Sequence, residues 1–305
     1  MTDGVFPNKM SAAALGIFDG VHLGHRAVIK RAAELADEKN IRAAVFTFDT
    51  DTVTSKGRST HLLPKEIKHS LIRELGIEEI LSLPFESVRN YTAEEFVREV
   101  LHKQLGAVYA VCGEDFRFGV NASGNVDTLK KLGEKYGITV DTVPAVKDEK
   151  GQRVSSTAIR EMLEKGDIKG ANRLLGKPYS FKLKVENGFR IGRTLNFPTV
   201  NQYFEKGQAH ICFGVYASRA EYAGKSYPSV TNIGMKPTVA NTDVPLAETH
   251  IIGFEGDIYG REVKISLLEY LRGEIKFSCI DDLKKQIALD VRAALETAAF
   301  DERND

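Results

Sequence analysis

Between Ala12 and Val143 short apolar runs alternate with amphipathic stretches of helical period. Successive βα units of a parallel sheet leave that pattern in a sequence. The runs Ala13 to Ile17, Ala43 to Phe48, Ile80 to Leu83, Val108 to Cys112 and Thr139 to Val143 read as strands. Val28, Ile29, Ala32, Leu35 and Ala36 share one helical face, and Thr92 with Glu95 forms a capping box ahead of Phe96, Val97 and Leu101. A doubly wound, Rossmann-like α/β domain is expected. Ser155-Ser156-Thr157 then opens a helix through Leu163, and a second short helix ends at Leu174-Leu175-Gly176 before Lys177-Pro178. The domain boundary is placed there, giving domains 1–176 and 177–305.

Beyond the boundary, runs such as Phe181 to Val185, Gly214 to Ala220 and Val263 to Tyr270 are separated by Gly, Asn and Pro turns without intervening helices. A small antiparallel β-barrel is the natural expectation. A C-terminal helix with Leu283, Ile287, Val291 and Leu295 on one stripe should pack against it.

A chain of 305 residues supports two such domains. Its 42 basic and 42 acidic residues balance, so neither nucleic acid nor a membrane surface is expected as partner. Cys112, Cys212 and Cys279 lack metal-ligand spacing and read as reduced, structural thiols. No basic run precedes an apolar stretch at the N-terminus, and no segment reaches eighteen apolar residues, so a soluble cytoplasmic protein is expected. Oligomeric state is left open.

The segment Gly16-Ile17-Phe18-Asp19-Gly20-Val21-His22-Leu23-Gly24-His25 joins the first strand to the first helix. Open α/β sheets bind ligands at such strand ends. Glycines let a phosphate approach the backbone, the helix start offers unpaired N–H groups, and two imidazoles can donate to charge developing on a triphosphate. Either histidine alone would read as packing, but their coincidence with Gly16, Gly20 and Gly24 and with Phe18 and Asp19 marks an ATP site for nucleotidyl transfer. In that chemistry a phosphate attacks the α-phosphate of ATP in line, with the protein positioning and neutralising. Ser155, Ser156 and Thr157 cap a helix in which Arg160, one turn inside, could reach a phosphate.

These segments resemble the bacterial bifunctional riboflavin kinase/FAD synthetases, as does Cys112-Gly113-Glu114-Asp115-Phe116-Arg117-Phe118-Gly119. The resemblance implies a nucleotidyltransferase domain in which His22, His25 and Arg160 are catalytic and Asp115, Phe116, Phe118, Asn121 and Asn125, with nearby Ser123, hold FMN. Thr50-Asp51-Thr52 departs from the family's Pro-His-Pro.

In the C-terminal half, Gly188 to Asn201 joins a glycine-rich loop to a turn presenting a hydroxyl and an amide oxygen. Backbone N–H groups around Gly188 and Gly192 could cradle ATP phosphates, and such oxygens suit Mg²⁺. With Thr231 to Thr238 and Ala247 to His250, this loop resembles the riboflavin kinase domain. The resemblance implies that the loop, Arg193 included, carries nucleotide and metal, that Thr199 and Asn201 are magnesium ligands, that Glu248 is the general base on the ribityl hydroxyl, and that Arg272 contacts flavin. An exposed ion pair is an equal reading of Arg272. Asn196 stands where the family has glycine.

The expected function is ATP-dependent conversion of riboflavin to FMN and of FMN to FAD, with Mg²⁺ and flavin substrates. Two alternatives stay open: the same fold with one active site, or a flavin-binding regulator without turnover. An aminoacyl-tRNA-synthetase-like enzyme is disfavoured by the absence of a Lys-Met-Ser-Lys-Ser-type loop.

Overall fold

The structure is a computed structural model that describes residues 10–49, 60–186, 197–204, 207–235 and 245–301. Contact density divides the chain into two compact units, Met1–Ser156 and Thr157–Asp305. The helices α6 (Ser156–Lys165) and α7 (Ile168–Leu175) therefore count almost wholly with the second unit, and residue 176 follows directly on α7.

The first unit is built on five strands, β1 (Ser11–Leu15), β2 (Arg42–Phe48), β3 (Glu79–Leu83), β4 (Ala107–Gly113) and β5 (Thr139–Val143). They pair in parallel in the order β3-β2-β1-β4-β5. The chain winds outward on one side of β1 and then returns to its other side, so the order reverses between β1 and β4. A crevice for a ligand opens at such a reversal, outside the carboxyl ends of the strands.

Helices α1 (Leu23–Lys39), α2 (Lys65–Arg73), α3 (Phe85–Val88), α4 (Ala93–Glu95) and α5 (Val126–Tyr136) connect the strands, α4 continuing as a π-helix over Phe96–Gln104. Ala12, Ala13 and Ala14 are fully buried, and these small side chains let helices approach β1 closely. The expected face of α1 is the buried one: Val28, Ile29, Ala32, Leu35 and Ala36. The capping box is present as read, with Thr92 N–H donating to Glu95 Oε2 at 2.8 Å and Glu95 N–H to Thr92 Oγ1 at 3.2 Å. It launches the helix that buries Phe96, Val97, Val100 and Leu101 beside Phe46 and Leu129. Burial of each such side chain contributes roughly 1.5–3 kcal/mol.

In the second unit α7 is closed at both ends. Asp167 Oδ1 accepts from Gly170 N–H at 2.9 Å, and Gly176 takes the left-handed conformation (φ 72°) that ends the helix. Six antiparallel strands follow: β6 (Tyr179–Lys184), β7 (Val200–Tyr203), β8 (Gly214–Tyr222), β9 (Lys225–Gly234), β10 (Leu246–Ile251) and β11 (Glu262–Arg272). Their order is β6-β11-β8-β9-β10-β7. The sheet curls into a half-barrel whose outer strands meet at a seam. There Glu186 N–H donates to Asn201 O at 2.8 Å. Beside that bond the fully buried Gln202 donates through Nε2 to Leu183 O at 2.6 Å and Val263 O at 2.9 Å.

Residues alternate across each strand. On β8, Val215 and Ala217 join Val230 against the C-terminal helix α8 (Ile280–Asp301), while Tyr216, Ser218 and Ala220 face the other way. Ser218 sits in a row of buried hydroxyls, bonded to Ser229 and Thr231 at 2.8 Å, with Thr231 bonded to Thr249 at 2.9 Å. The helix packs on the sheet as expected, but its stripe is different: Leu295 is 43 % exposed, whereas Ala294 and Ala298 are buried. A stripe built from steps of four residues drifts about 40° per step on a 3.6-residue helix, so a step of three is needed to return to the sheet.

Candidate active sites

The loop after β1 holds two non-glycine residues in the left-handed region, Phe18 (φ 52°) and Val21 (φ 42°), with Gly20 (φ 85°) between them. Each such residue costs of order 1–3 kcal/mol and persists only where the surroundings over-determine it. Here the side chains of Phe18 and Val21 are buried, and a Cβ on Gly16 would lie 2.8 Å from the Phe18 ring. Side-chain hydrogen bonds to neighbouring elements help fix the loop. Thr47 Oγ1 donates to Ile17 O at 2.7 Å, Leu62 N–H donates to Asp19 Oδ1 at 2.8 Å, and Ser156 Oγ donates to Asp19 O at 2.8 Å. The loop is thereby tied to the end of β2 and to the first residue of α6. Ser155 precedes that residue, and Thr157 and Arg160 follow it along the helix, in the second unit.

His22 caps α1, its Nδ1 accepting the His25 N–H at 3.2 Å. The two imidazoles stack with centroids 3.5 Å apart and planes 18° from parallel. Gly24 leaves room for this arrangement, since a Cβ there would lie 3.2 Å from His22 Cε1. Burial lowers the His22 pKa to about 4. Burial, and then the charges of His22, Lys68 and Arg153, hold His25 well below the usual histidine range. Both rings are therefore neutral near pH 7. Because Nδ1 of His22 accepts, its proton resides on Nε2, which can donate to a phosphate oxygen without losing that proton. His25 Nδ1 is buried without a hydrogen-bond partner among the described residues.

The segment expected to hold flavin follows β4, whose neighbour in the sheet is β1. Phe116 and Phe118 stack at 5.6 Å. Phe118 is buried in the core, 5.5 Å from Phe96, and its part is packing. Asn125 Oδ1 accepts from both N–H and O–H of Thr128 at 2.9 Å, which makes the residue the N-cap of α5. Asp115 pairs with Arg153 at 2.6 Å in an exposed ion pair. Asn121 is exposed, in the left-handed region (φ 55°). Of the residues read as flavin-binding, Phe116 and Asn121 are the accessible ones, while Phe118 is engaged in packing and Asn125 in a helix cap.

In the second unit the antiparallel register sets Asn201 of β7 directly opposite Glu248 of β10, Glu248 opposite Asn232 of β9, and Asn232 opposite Val215 of β8. This row lies on the α8 face of the sheet. Asn201 is 6 % exposed, and its buried Oδ1 has no hydrogen-bond partner among the described residues. A buried acceptor without a donor demands an explanation, and a cation is one that amide oxygen chemistry allows. Thr199 stands just before β7, in a stretch that His250 holds by donating through Nδ1 to Pro198 O at 2.9 Å while the Phe197 ring packs edge-on at 5.4 Å.

A pocket of about 70 Å³ opens beside Thr199, lined by Val185, Thr249, Ile251, Phe254 and Asp257. The turn carrying Asp257, which accepts from Tyr259 N–H at 3.0 Å, thus belongs to the site. Asp257 is not among the residues that the sequence marked as functional; its signal is a glycine-flanked acidic turn ahead of a strand. Among the described residues no group of three or more His, Cys, Asp or Glu could hold a metal.

Arg272 is held in a bidentate pair with Asp290 of α8, Nε to Oδ1 at 3.1 Å and Nη2 to Oδ2 at 2.7 Å, with Gln286 donating to the same carboxylate at 2.9 Å. The ion pair is present, and it is not the exposed one: Asp290 is buried. Gly188, Gly192, Arg193, Asn196 and Thr50-Asp51-Thr52 lie outside the described residues.

A family model of FAD synthetase matches residues 7–158, and one of riboflavin kinase matches residues 175–298. A Haemophilus influenzae bifunctional riboflavin kinase/FMN adenylyltransferase is 34 % identical over 93 % of this chain and 92 % of its own length. The Bacillus subtilis protein of that name is 36 % identical, again over 93 % and 92 %. A crystal structure from Streptococcus pneumoniae, described as a macrolide-efflux protein, superposes with a TM-score of 0.83 over 94 % of both chains at 28 % identity. Among the described residues of this chain no helix is long and apolar enough to cross a membrane.

Proposed function

Because the chain belongs to the bifunctional riboflavin kinase/FMN adenylyltransferase family, we propose that its two units carry the two steps from riboflavin to FAD. The second unit moves the γ-phosphoryl group of ATP to riboflavin, giving FMN and ADP. The first then moves AMP from ATP to FMN, giving FAD and pyrophosphate.

For the kinase step the observation that carries the reading is the cross-strand register that sets Glu248 opposite Asn201, whose buried Oδ1 has no hydrogen-bond partner among the described residues. Glu248 takes the proton of the ribityl hydroxyl as phosphorus–oxygen bond formation proceeds, which contributes about 10²–10⁴-fold. Thr199 and Asn201 hold Mg²⁺, which when bound supplies charge neutralisation at the phosphates. The pocket beside Thr199 receives the nucleotide.

For the adenylyl step, His22 Nε2 and His25 donate as neutral imidazoles to the α-phosphate as it becomes five-coordinate. The backbone of Gly16 to Gly24, with Ser155 and Ser156, holds the remaining phosphate oxygens. Phe116 and Asn121 contact the flavin. The unpaired thiols Cys112, Cys212 and Cys279 suit a reducing compartment, and we place the enzyme in the cytoplasm.

A time course with riboflavin, ATP and Mg²⁺, resolving riboflavin, FMN and FAD by chromatography, tests the reading beside a reaction started from FMN. FMN followed by FAD is expected. A halt at FMN removes the adenylyl step, and failure to consume riboflavin removes the kinase step.

A further inference from the structure

Lys68 of α2 is the one lysine buried among the described residues, at 2 % exposure. Its ammonium donates to Phe48 O at 2.6 Å and to Thr47 Oγ1 at 3.3 Å, at the carboxyl end of β2. The same Thr47 hydroxyl donates to Ile17 O, so one short chain of bonds runs from the lysine into the histidine loop. An apolar side chain of equal length would fill this space without desolvating a charge, so burial alone gives no reason for lysine here.

The groups that face the ammonium are Asp19 in the loop after β1, Asp49 at the end of β2, Lys65 and His69 on its own helix, and His25 on α1. Asp49 is already engaged by Lys65 at 2.7 Å and by Ser82 at 2.7 Å. The two stacked histidines are neutral near pH 7, whereas adenylyl transfer brings a triphosphate against the phosphate of FMN. Positive charge must come from other groups.

We propose that Lys68 is a positioning residue of the adenylyl-transfer site: it clamps the ends of β1 and β2 that carry the histidine loop and sets a fixed positive charge beside that loop for the phosphates of ATP. This rests on the histidine loop being the adenylyl-transfer site. Burial lowers the lysine to about 8, so it is charged at pH 7 and loses its proton within an accessible range.

The test uses the full chain, with riboflavin phosphorylation as the internal control. Lys68→Met lowers kcat for FMN adenylylation about 100-fold, the scale of loss when a reacting group is displaced by an ångström, and leaves riboflavin phosphorylation unchanged. Lys68→Arg, which keeps the charge, restores most of the rate. In the wild type kcat/KM for adenylylation falls above pH about 8, and in Lys68→Arg this limb moves to higher pH, because kcat/KM reports ionisations of the free enzyme. Adenylylation by Lys68→Met within about threefold of wild type overturns the proposal, as does an alkaline limb shared by wild type and Lys68→Arg. If Lys68→Met fails to fold, the pH profile of Lys68→Arg decides. His25→Ala run in parallel separates the two premises: loss in His25→Ala with none in Lys68→Met overturns the role of the lysine alone, and no loss in either overturns the location of the site.

Discussion

Lowering the pH should loosen the first unit through His22, and the size of the effect follows from its surroundings. Burial holds the folded pKa at about 4 against 6.5 for the free side chain. Between these values the unfolded chain binds the extra proton, so stability is complete above pH 6.5 and falls as pH drops toward 4. The integrated loss is roughly 2 kcal/mol by pH 5 and approaches about 3 kcal/mol below pH 4. His22→Asn isolates this contribution, because asparagine keeps an acceptor for the His25 N–H and caps helices well while carrying no titratable proton. Urea unfolding of both proteins at pH 7 and pH 5, followed by a probe in the first unit, gives the double difference. The variant should lose roughly 2 kcal/mol less than the wild type. Equal losses would refute the reasoning, since they would mean that the ring is not held neutral by burial.

Other predictions follow from the described geometry. Glu248→Gln keeps the shape of the side chain and removes the base, so FMN formation from riboflavin should fall about 10²–10⁴-fold while adenylylation of supplied FMN is unchanged; steady-state assays started from each flavin check this. Gly119→Ala places a Cβ 2.9 Å from the Ala93 nitrogen at φ +73°, and thermal unfolding should show a loss of about 2 kcal/mol together with weaker FMN binding. Asp290→Ala leaves the Arg272 guanidinium without its carboxylate, and denaturant unfolding of the second unit should show a loss of about 3–5 kcal/mol.

The α/β half was legible because period carries it: β5 begins and ends at the residues read from the sequence, and the Thr92–Glu95 box starts its helix as expected. Helix α2 was not read, and with it the buried Lys68 went unnoticed. The signal was present, for Lys68 stands three and four residues before the buried Leu71 and Ile72, on the apolar face. Strands were harder in the second unit. Pro228 lies inside β9, where proline argues against a strand, and β10 alternates Glu248 and His250 with small or apolar residues over only six positions. Composition could not separate Phe116 from Phe118, or tell that Asn125 spends its oxygen on a helix cap, because both distinctions depend on what packs against each side chain. Register brought Asn201, Glu248 and Asn232 into one row, and register is a property of paired strands that no single segment displays.

The seam of the half-barrel bears on solubility. Strands β6 and β7 each have one side outside the ladder, and an open strand side is a template on which another chain can add. A backbone bond from Glu186 to Asn201 and the Gln202 amide, which bridges from β7 to Leu183 O on β6 and Val263 O on β11, keep these sides turned toward each other. Gln202 thus acts as a guard against intermolecular strand addition, a duty unrelated to flavin or ATP. Replacing it with valine would leave two sticky borders, and the first symptom should be concentration-dependent aggregation rather than loss of turnover.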